Sequence, residues 1–308
     1  MSLVETIKLG MAIPQAFVET PVDIAMIRRV SQRSEEVGFE SLWTSSGIFG
    51  GVPILEPLSL LNYVAGFTST VRLGVSVLVF PLYSPVSVAK AFASLDQVSG
   101  GRAIVGLGLG SRTDPYEAFG LTPAGRVKRF EDGIEVMKSL WSEPTTDYHN
   151  EYYHLKNAKM EPKPLQRPHP PIWLGGGHPN VLQRAVRIAD GWMGAGSSSN
   201  ASFKERVFNI KDMLAETDRD PKSFTISKRV YISVDDDESK ALQHLRLMSG
   251  ELYNNPRLAD EMAVWGSPQK CIEILNDLAL AGVDHLLLHP VTDFEEQLEA
   301  LAEISKAD

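Results

Sequence analysis

Short apolar runs, often β-branched, alternate along this chain with longer windows whose apolar positions recur every three or four residues. Ile7 to Ala12 reads as a first strand. Asp23 to Val37 reads as a helix, with Ile24, Ile27, Val30, Ser34 and Val37 on one face and Gly38 as its stop. Ser41 to Thr44 is strand two, and Pro57 to Thr68 is the second helix, opened by Glu56-Pro57 where proline is tolerated. Val71 to Val79 is a near-continuous apolar run, the pattern of a strand covered on both faces in a parallel sheet. Pro85 to Val98 is helix three, Ala103 to Gly108 strand four and Arg126 to Trp141 helix four.

A polar, aromatic and proline-rich stretch, Ser142 to Pro170, then interrupts the alternation. It is too long for an ordinary connection and predicts an insertion holding a small hairpin. Its segment Thr145 to Pro164, with Tyr148, Tyr152 and Tyr153, either packs on the body of the protein, the preferred reading, or covers a pocket as a lid. Beyond it, Pro171 to Leu174 is strand five, Pro179 to Ala189 a helix, Gly191 to Gly194 strand six and Ser202 to Thr217 a helix. Phe224 to Val234 is strand seven, followed by helices over Glu238 to Leu252 and Pro268 to Ala281. Asp284 to His289 is strand eight and Phe294 to Ile304 the closing helix. Repeated βα units allow an open doubly wound sheet or a closed barrel. Eight strands at this length predict the barrel: an α/β fold of the (β/α)₈ TIM type with insertions. No break in composition marks a boundary, so one domain is expected over residues 1–308, with the insertion at about 142–170.

Active sites of such barrels lie at the carboxyl ends of the strands, so the residues just past each strand carry the candidate chemistry. Strand two leads into Ser45-Ser46-Gly47-Ile48-Phe49-Gly50-Gly51, which is either a small-residue surface for a flat ring or an ordinary loop. Strand four leads into Gly106-Leu107-Gly108-Leu109-Gly110-Ser111, where alternate glycines permit close backbone approach to a ligand or simply tight packing. This is not a dinucleotide fingerprint, because Ser111 stands where the third glycine belongs and no helix follows at once. Strand five leads through Gly175-Gly176-Gly177-His178 directly into a helix, and strand six into Gly194-Ala195-Gly196-Ser197-Ser198-Ser199. Free N–H groups at a helix amino end suit a phosphate, and two such loops on neighbouring strands strengthen that reading over plain tight turns. His289 ends strand eight and either reaches the pocket or packs. No His, Cys and carboxylate set has metal-ligand spacing, so no metal is expected, and no G-x-S-x-G elbow is present.

The 308 residues are 43% apolar with a net charge of −9, enough apolar material for a large core and no basic stripe for nucleic acid. No run approaches the roughly 20 apolar residues of a membrane span, and no signal peptide is read at the start. The lone Cys271 excludes an intrachain disulfide and fits a cytoplasmic location; its helical setting reads as a buried small residue rather than a reactive thiol.

Several segments together carry a resemblance. They include Val37-Gly38-Phe39-Glu40-Ser41-Leu42-Trp43, Val71-Arg72-Leu73-Gly74-Val75-Ser76-Val77-Leu78, Ser99-Gly100-Gly101-Arg102, Arg167-Pro168-His169-Pro170-Pro171-Ile172-Trp173-Leu174-Gly175-Gly176-Gly177 and Ala189-Asp190-Gly191-Trp192. In this order, over nearly the whole chain, they resemble the bacterial luciferase-like flavin oxidoreductases, especially the branch using the deazaflavin coenzyme F420. The resemblance implies F420, or alternatively FMN, held non-covalently at the carboxyl rim. It also implies a bulge with a non-proline cis peptide at Ser76-Val77 behind the ring, and a phosphate on Gly175, Gly176, Gly177 and His178 with help from Gly196 and Ser197. Ser45, Gly108, Gly110 and Ser111 complete the expected cofactor set. Relatives often carry Asp-His where Ser46-Gly47 stands here, and the F420-dependent sugar-phosphate dehydrogenases carry Glu where Ser111 stands, which argues against that activity. His289 and Ser46 are the remaining catalytic candidates. Hydride transfer to or from a small organic substrate is the expected reaction. The alternatives are an FMN-dependent monooxygenase fed by a separate flavin or F420 reductase, and a non-catalytic flavin-binding protein. Relatives of this kind imply a homodimer.

Overall fold

The computed structural model describes residues 7–17, 20–49 and 52–306. Gly50 and Gly51, at the end of the glycine-bearing loop after strand two, lie outside the described residues. The first half runs β1 (Lys8–Ala12), α1 (Ile24–Glu36), β2 (Ser41–Thr44), α2 (Pro57–Ala65), β3 (Arg72–Val75), β4 (Leu78–Val79), α3 (Pro85–Ser99), β5 (Ala103–Gly108) and α4 (Arg126–Ser142). A hairpin, β6 (Thr146–His149) and β7 (His154–Ala158), precedes β8 (Ile172–Gly175), α5 (Pro179–Ile188), β9 (Gly191–Gly194) and α6 (Asn200–Ala215). The chain ends with β10 (Thr225–Val234), α7 (Glu238–Tyr253), α8 (Ala259–Met262), β11 (Val264–Gly266), α9 (Pro268–Ala281), β12 (His285–Pro290) and α10 (Phe294–Ile304).

The barrel closes. β1, β2, β3, β5, β8, β9, β10 and β12 pair in sequence, all parallel, and β12 returns to β1 with Lys8 opposite His285. Closure leaves these strands no open edge. Several helices begin where polar side chains satisfy orphan N–H groups: Asp23 accepts from the Met26 N–H at 2.8 Å, and Glu56 from those of Leu58 and Ser59, with Pro57 next to it. Arg102, buried, ties the amino end of the barrel by donating to the carbonyls of Ser99, Val71 and Thr68 at 2.6, 2.6 and 2.8 Å.

Strand three departs from the unbroken run that periodicity predicts and carries instead the bulge and cis peptide that the resemblance implied at Ser76-Val77. It stops at Val75 and resumes at Leu78, with a cis peptide between Ser76 and Val77. The register gives the reason. Gly74 lies opposite Ile104 and Leu78 opposite Leu107, so four steps along strand three match three along β5. The extra residue is a bulge. It drives the Val75 carbonyl against Gly106, where any side chain would collide with that oxygen.

Inside the barrel, Trp43 and Trp173 stack with centroids 5.2 Å apart. His285 sits beside them, its two ring nitrogens each 2.8 Å from a hydroxyl, Ser41 and Ser227. Below the rim, then, the interior is a filled core. The insertion holds the expected hairpin, which packs on α4 rather than over the mouth: Tyr148 donates to Glu135 at 3.0 Å, Tyr153 to the Arg129 carbonyl at 3.2 Å, and Tyr153 and Leu155 join the main core. α8 and β11 were not legible in the sequence. β11 is three residues long, and it pairs with β10 beyond the point where β9 ends. Cys271 is fully buried, and burial pushes its thiol up to about 12. No helix among the described residues is long and apolar enough to cross a membrane.

Candidate active site

At the carboxyl rim the strands surround a cavity of about 890 Å³. Its floor is the bulge of strand three. Val77 points its two methyl groups into a cradle of glycines: a Cβ at Gly108 would lie 2.5 Å from one, and a Cβ at Gly175 2.7 Å from the other. The glycines of strands four and five therefore exist to seat Val77, which becomes a fixed apolar shelf. Beside it the Ser76 hydroxyl donates to the Met193 sulfur at 2.8 Å.

One side of the cavity is built from the loops after β8 and β9. The N–H groups of Gly177, His178, Gly196 and Ser197 donate to no protein acceptor among the described residues, although all four residues line the cavity. Unpaired backbone donors on a cavity wall are costly unless something fills them. Converging donors of this kind form an anion nest. The Arg206 guanidinium lies over Gly177, where a Cβ would come within 2.8 Å of its Cζ, and donates to Ser198 Oγ at 2.8 Å. His178 caps α5 by accepting from the Asn180 N–H at its Nδ1, 3.2 Å away.

The opposite side carries Arg229 of β10. Its guanidinium reaches across the barrel to donate to the Ser76 carbonyl at 3.1 Å, and it donates to His289 Nδ1 at 2.6 Å. Its Nε also donates to His289 Nδ1, at 3.0 Å, so three bonds leave two N–H groups of its five-donor fork free. No carboxylate lies within ion-pairing distance of Arg229 or Arg206 among the described residues, and no Asp or Glu lines the cavity. In a chain of net charge −9 this is a local reversal of sign, and it favours an anionic ligand. Tyr231 and Tyr253 close the wall with hydroxyls 2.9 Å apart. Burial, then the neighbouring Tyr231, raises the Tyr253 phenol above the usual tyrosine range, so it stays protonated.

The structure thus brings Ser76, Val77, Gly108, Gly110, Ser111, Gly175, Gly176, Gly177, His178, Gly196 and Ser197 to one cavity. Ser45 is not on its wall. Its N–H and carbonyl are both held by the Gln15 amide, at 2.7 and 2.8 Å. Ser46 is also off the wall, as is His289, which stands behind Arg229 as an acceptor. Burial and then the Arg229 charge hold the His289 imidazole well below its ordinary pKa, and so neutral. Sequence reasoning missed Arg206, Arg229, Tyr231 and Tyr253. The alternation of β10 is the signal that places Arg229 and Tyr231 on the inner face with Ser227. Nothing local marks Arg206. Among the described residues no three metal-ligating side chains converge.

The model of the luciferase-like monooxygenase family matches residues 6–256. The chain belongs to that family. Among curated relatives, an F420-dependent glucose-6-phosphate dehydrogenase of Kineococcus radiotolerans is 29% identical, over 83% of this chain and 84% of its own. An FMNH₂-dependent dimethylsulfone monooxygenase of Pseudomonas putida is 28% identical, over 66% of this chain and 57% of its own. Among solved structures, an F420-dependent secondary alcohol dehydrogenase in complex with an F420–acetone adduct superposes with a TM-score of 0.85 at 20% identity, covering 98% of this chain and 100% of that one. At that identity the superposition speaks for the luciferase-like barrel alone. Like its relatives, the chain is an oxidoreductase.

Proposed function

We propose that this luciferase-like protein is an F420-dependent oxidoreductase, one domain over residues 1–308, that moves a hydride to or from a small organic substrate. The observation that carries the reading is the pairing of two features in one cavity. One is a rigid apolar shelf, Val77 in its glycine cradle. The other is an anion nest of four unpaired N–H groups beside Arg206. A planar ring joined to a phosphate needs both. Gly177, His178, Gly196 and Ser197 would hold the phosphate, and Val77, Gly108 and Gly175 would back the ring. The cofactor supplies the hydride chemistry; the protein supplies orientation, charge and exclusion of water.

The residues have separate tasks at the substrate. Arg229, fixed by Ser76 and His289, presents free N–H donors to an oxygen that gains negative charge. Tyr253 holds a proton and stands where it can share it with such an oxygen, relayed from Tyr231. Neither Ser46 nor Ser111 can serve as the acid–base group that a sugar-phosphate dehydrogenase uses, and no carboxylate on the cavity wall replaces one. Small alcohols or carbonyl compounds are therefore the substrate class. The same missing carboxylate favours a second reading, an FMN-dependent monooxygenase supplied by a separate reductase. Equilibrium dialysis against F420 and FMN separates the two. Micromolar F420 binding with much weaker FMN binding is expected; FMN binding alone transfers the assignment to the monooxygenase. We also propose a homodimer in the cytoplasm, and sedimentation of the purified protein measures the first of these.

A further inference from the structure

Lys228 is fully buried, yet the proposed chemistry does not use it. Its neighbours Ser227 and Arg229 face the barrel interior, so strand alternation turns Lys228 outward, under α6. Its Nζ lies 5.1 Å from the Phe203 ring centre and donates to the Ser198 carbonyl at 3.0 Å. No second acceptor is within reach among the described residues. Ser198 also receives Arg206 on its hydroxyl. Two basic groups of like sign thus flank one residue of the nest loop, with no carboxylate within ion-pairing distance of either among the described residues.

The surroundings of Lys228 hold no other charge that answers it. From α6 it meets Phe203 and Arg206; Lys204 is engaged with Asp277 of α9, and Glu205 is exposed. The flanking strands present Gly194 and Leu286 at its register, and His285 is turned inward between Ser41 and Ser227. A buried ammonium without a counter-ion is strongly disfavoured. Accordingly burial, with Arg206 adding to it, brings this amine down to about 7. An anion in the nest at Gly177 and Ser197 would supply the charge the cluster lacks.

We propose that Lys228 is the proton-accepting amine of a phosphate receptor: buried with no carboxylate beside it while the nest is empty, it takes up a proton when a phosphate ester docks there. It acts through Ser198, whose carbonyl it holds, and is a positioning residue rather than a catalytic one. The proposal rests on the cofactor reading above, and it adds a consequence that reading does not contain. Binding of a phosphate-bearing cofactor must consume protons on the alkaline side of neutrality.

Isothermal titration of the full chain with F420 at pH 8, in two buffers of different protonation enthalpy, counts those protons. The phosphate-free 8-hydroxy-5-deazariboflavin core is the control, since it carries the same ring. F420 is expected to take up more protons than the core, by up to about one, and its Kd to rise with pH more steeply than the core's, by less than about tenfold per pH unit. In Lys228→Met the excess uptake and the extra slope are expected to vanish. F420 binding with no more proton uptake than the core overturns the Lys228 assignment and leaves the cofactor reading standing. Failure of both F420 and core to bind overturns the cofactor reading, and this proposal with it.

Discussion

The shelf under the cofactor site makes a strong demand on Gly108. An added Cβ there would stand 2.5 Å from Val77 Cγ2, when contacts under about 3.0 Å essentially never occur. Val77 must therefore shift by at least about 0.5 Å, and it has nowhere to go. Its other methyl already faces Gly175, where a Cβ would lie 2.7 Å away. Overpacking of this kind costs about 1–3 kcal/mol. Gly108→Ala should thus lower the free energy of unfolding, read from urea melts, by about that amount. If the strain is relieved by pushing Val77 into the cavity, the same energy appears as a roughly 5- to 150-fold weaker Kd for F420 or FMN by fluorescence titration. The paired variant Gly108→Ala with Val77→Ala removes the colliding methyl, and the double-mutant cycle should show about 1–2 kcal/mol of favourable coupling. A Gly108→Ala protein with an unchanged urea midpoint and unchanged affinity would refute the shelf, as would a cycle with no coupling.

Other consequences follow from the same geometry. Arg229→Met removes an uncompensated cation, so stability should hold or rise slightly while KM for an oxygen-bearing substrate increases about 10- to 100-fold; parallel thermal melts and steady-state kinetics test this. Tyr253→Phe keeps the ring and deletes the proton; kcat should fall at least about tenfold with cofactor affinity unchanged, and undiminished kcat would move the proton donor elsewhere. His285, held neutral by burial first and then by the Arg72 and Lys8 charges, has its pKa lowered to about 3 in the fold against an ordinary 6.5. The unfolded chain therefore binds the extra proton between those values, and stability should decline as pH falls from about 6.5 toward 3, by at most about 5 kcal/mol from this group. Urea unfolding at pH 7, 5.5 and 4.5 measures the decline, and His285→Gln should reduce it, leaving the part that His289 contributes by the same linkage.

The barrel was legible because its signals are local. Apolar runs such as Ala103–Gly108 and helix stops such as Gly38 lie in adjacent residues, and the count of alternating units limits the topology. The glycine loops after β8 and β9 were legible for the same reason, since clustered glycines and a helix start are read within ten residues. The break in strand three was not readable from periodicity, because a bulge is a mismatch of register between two strands and exists only when Gly74 and Leu78 meet Ile104 and Leu107. No local pattern marked Arg206, and the alternation of β10 turns Arg229 inward without showing what it meets. Arg229 reaches Ser76 across 153 positions of sequence, and Arg206 finds Gly177 only after α6 docks beside α5. Sequence alone determined where backbone would be bare; which cations converge on that backbone, and which candidates such as His289 and Ser45 are spent holding other residues, was decided by packing, because charge and hydrogen-bond partners belong to positions in space rather than along the chain.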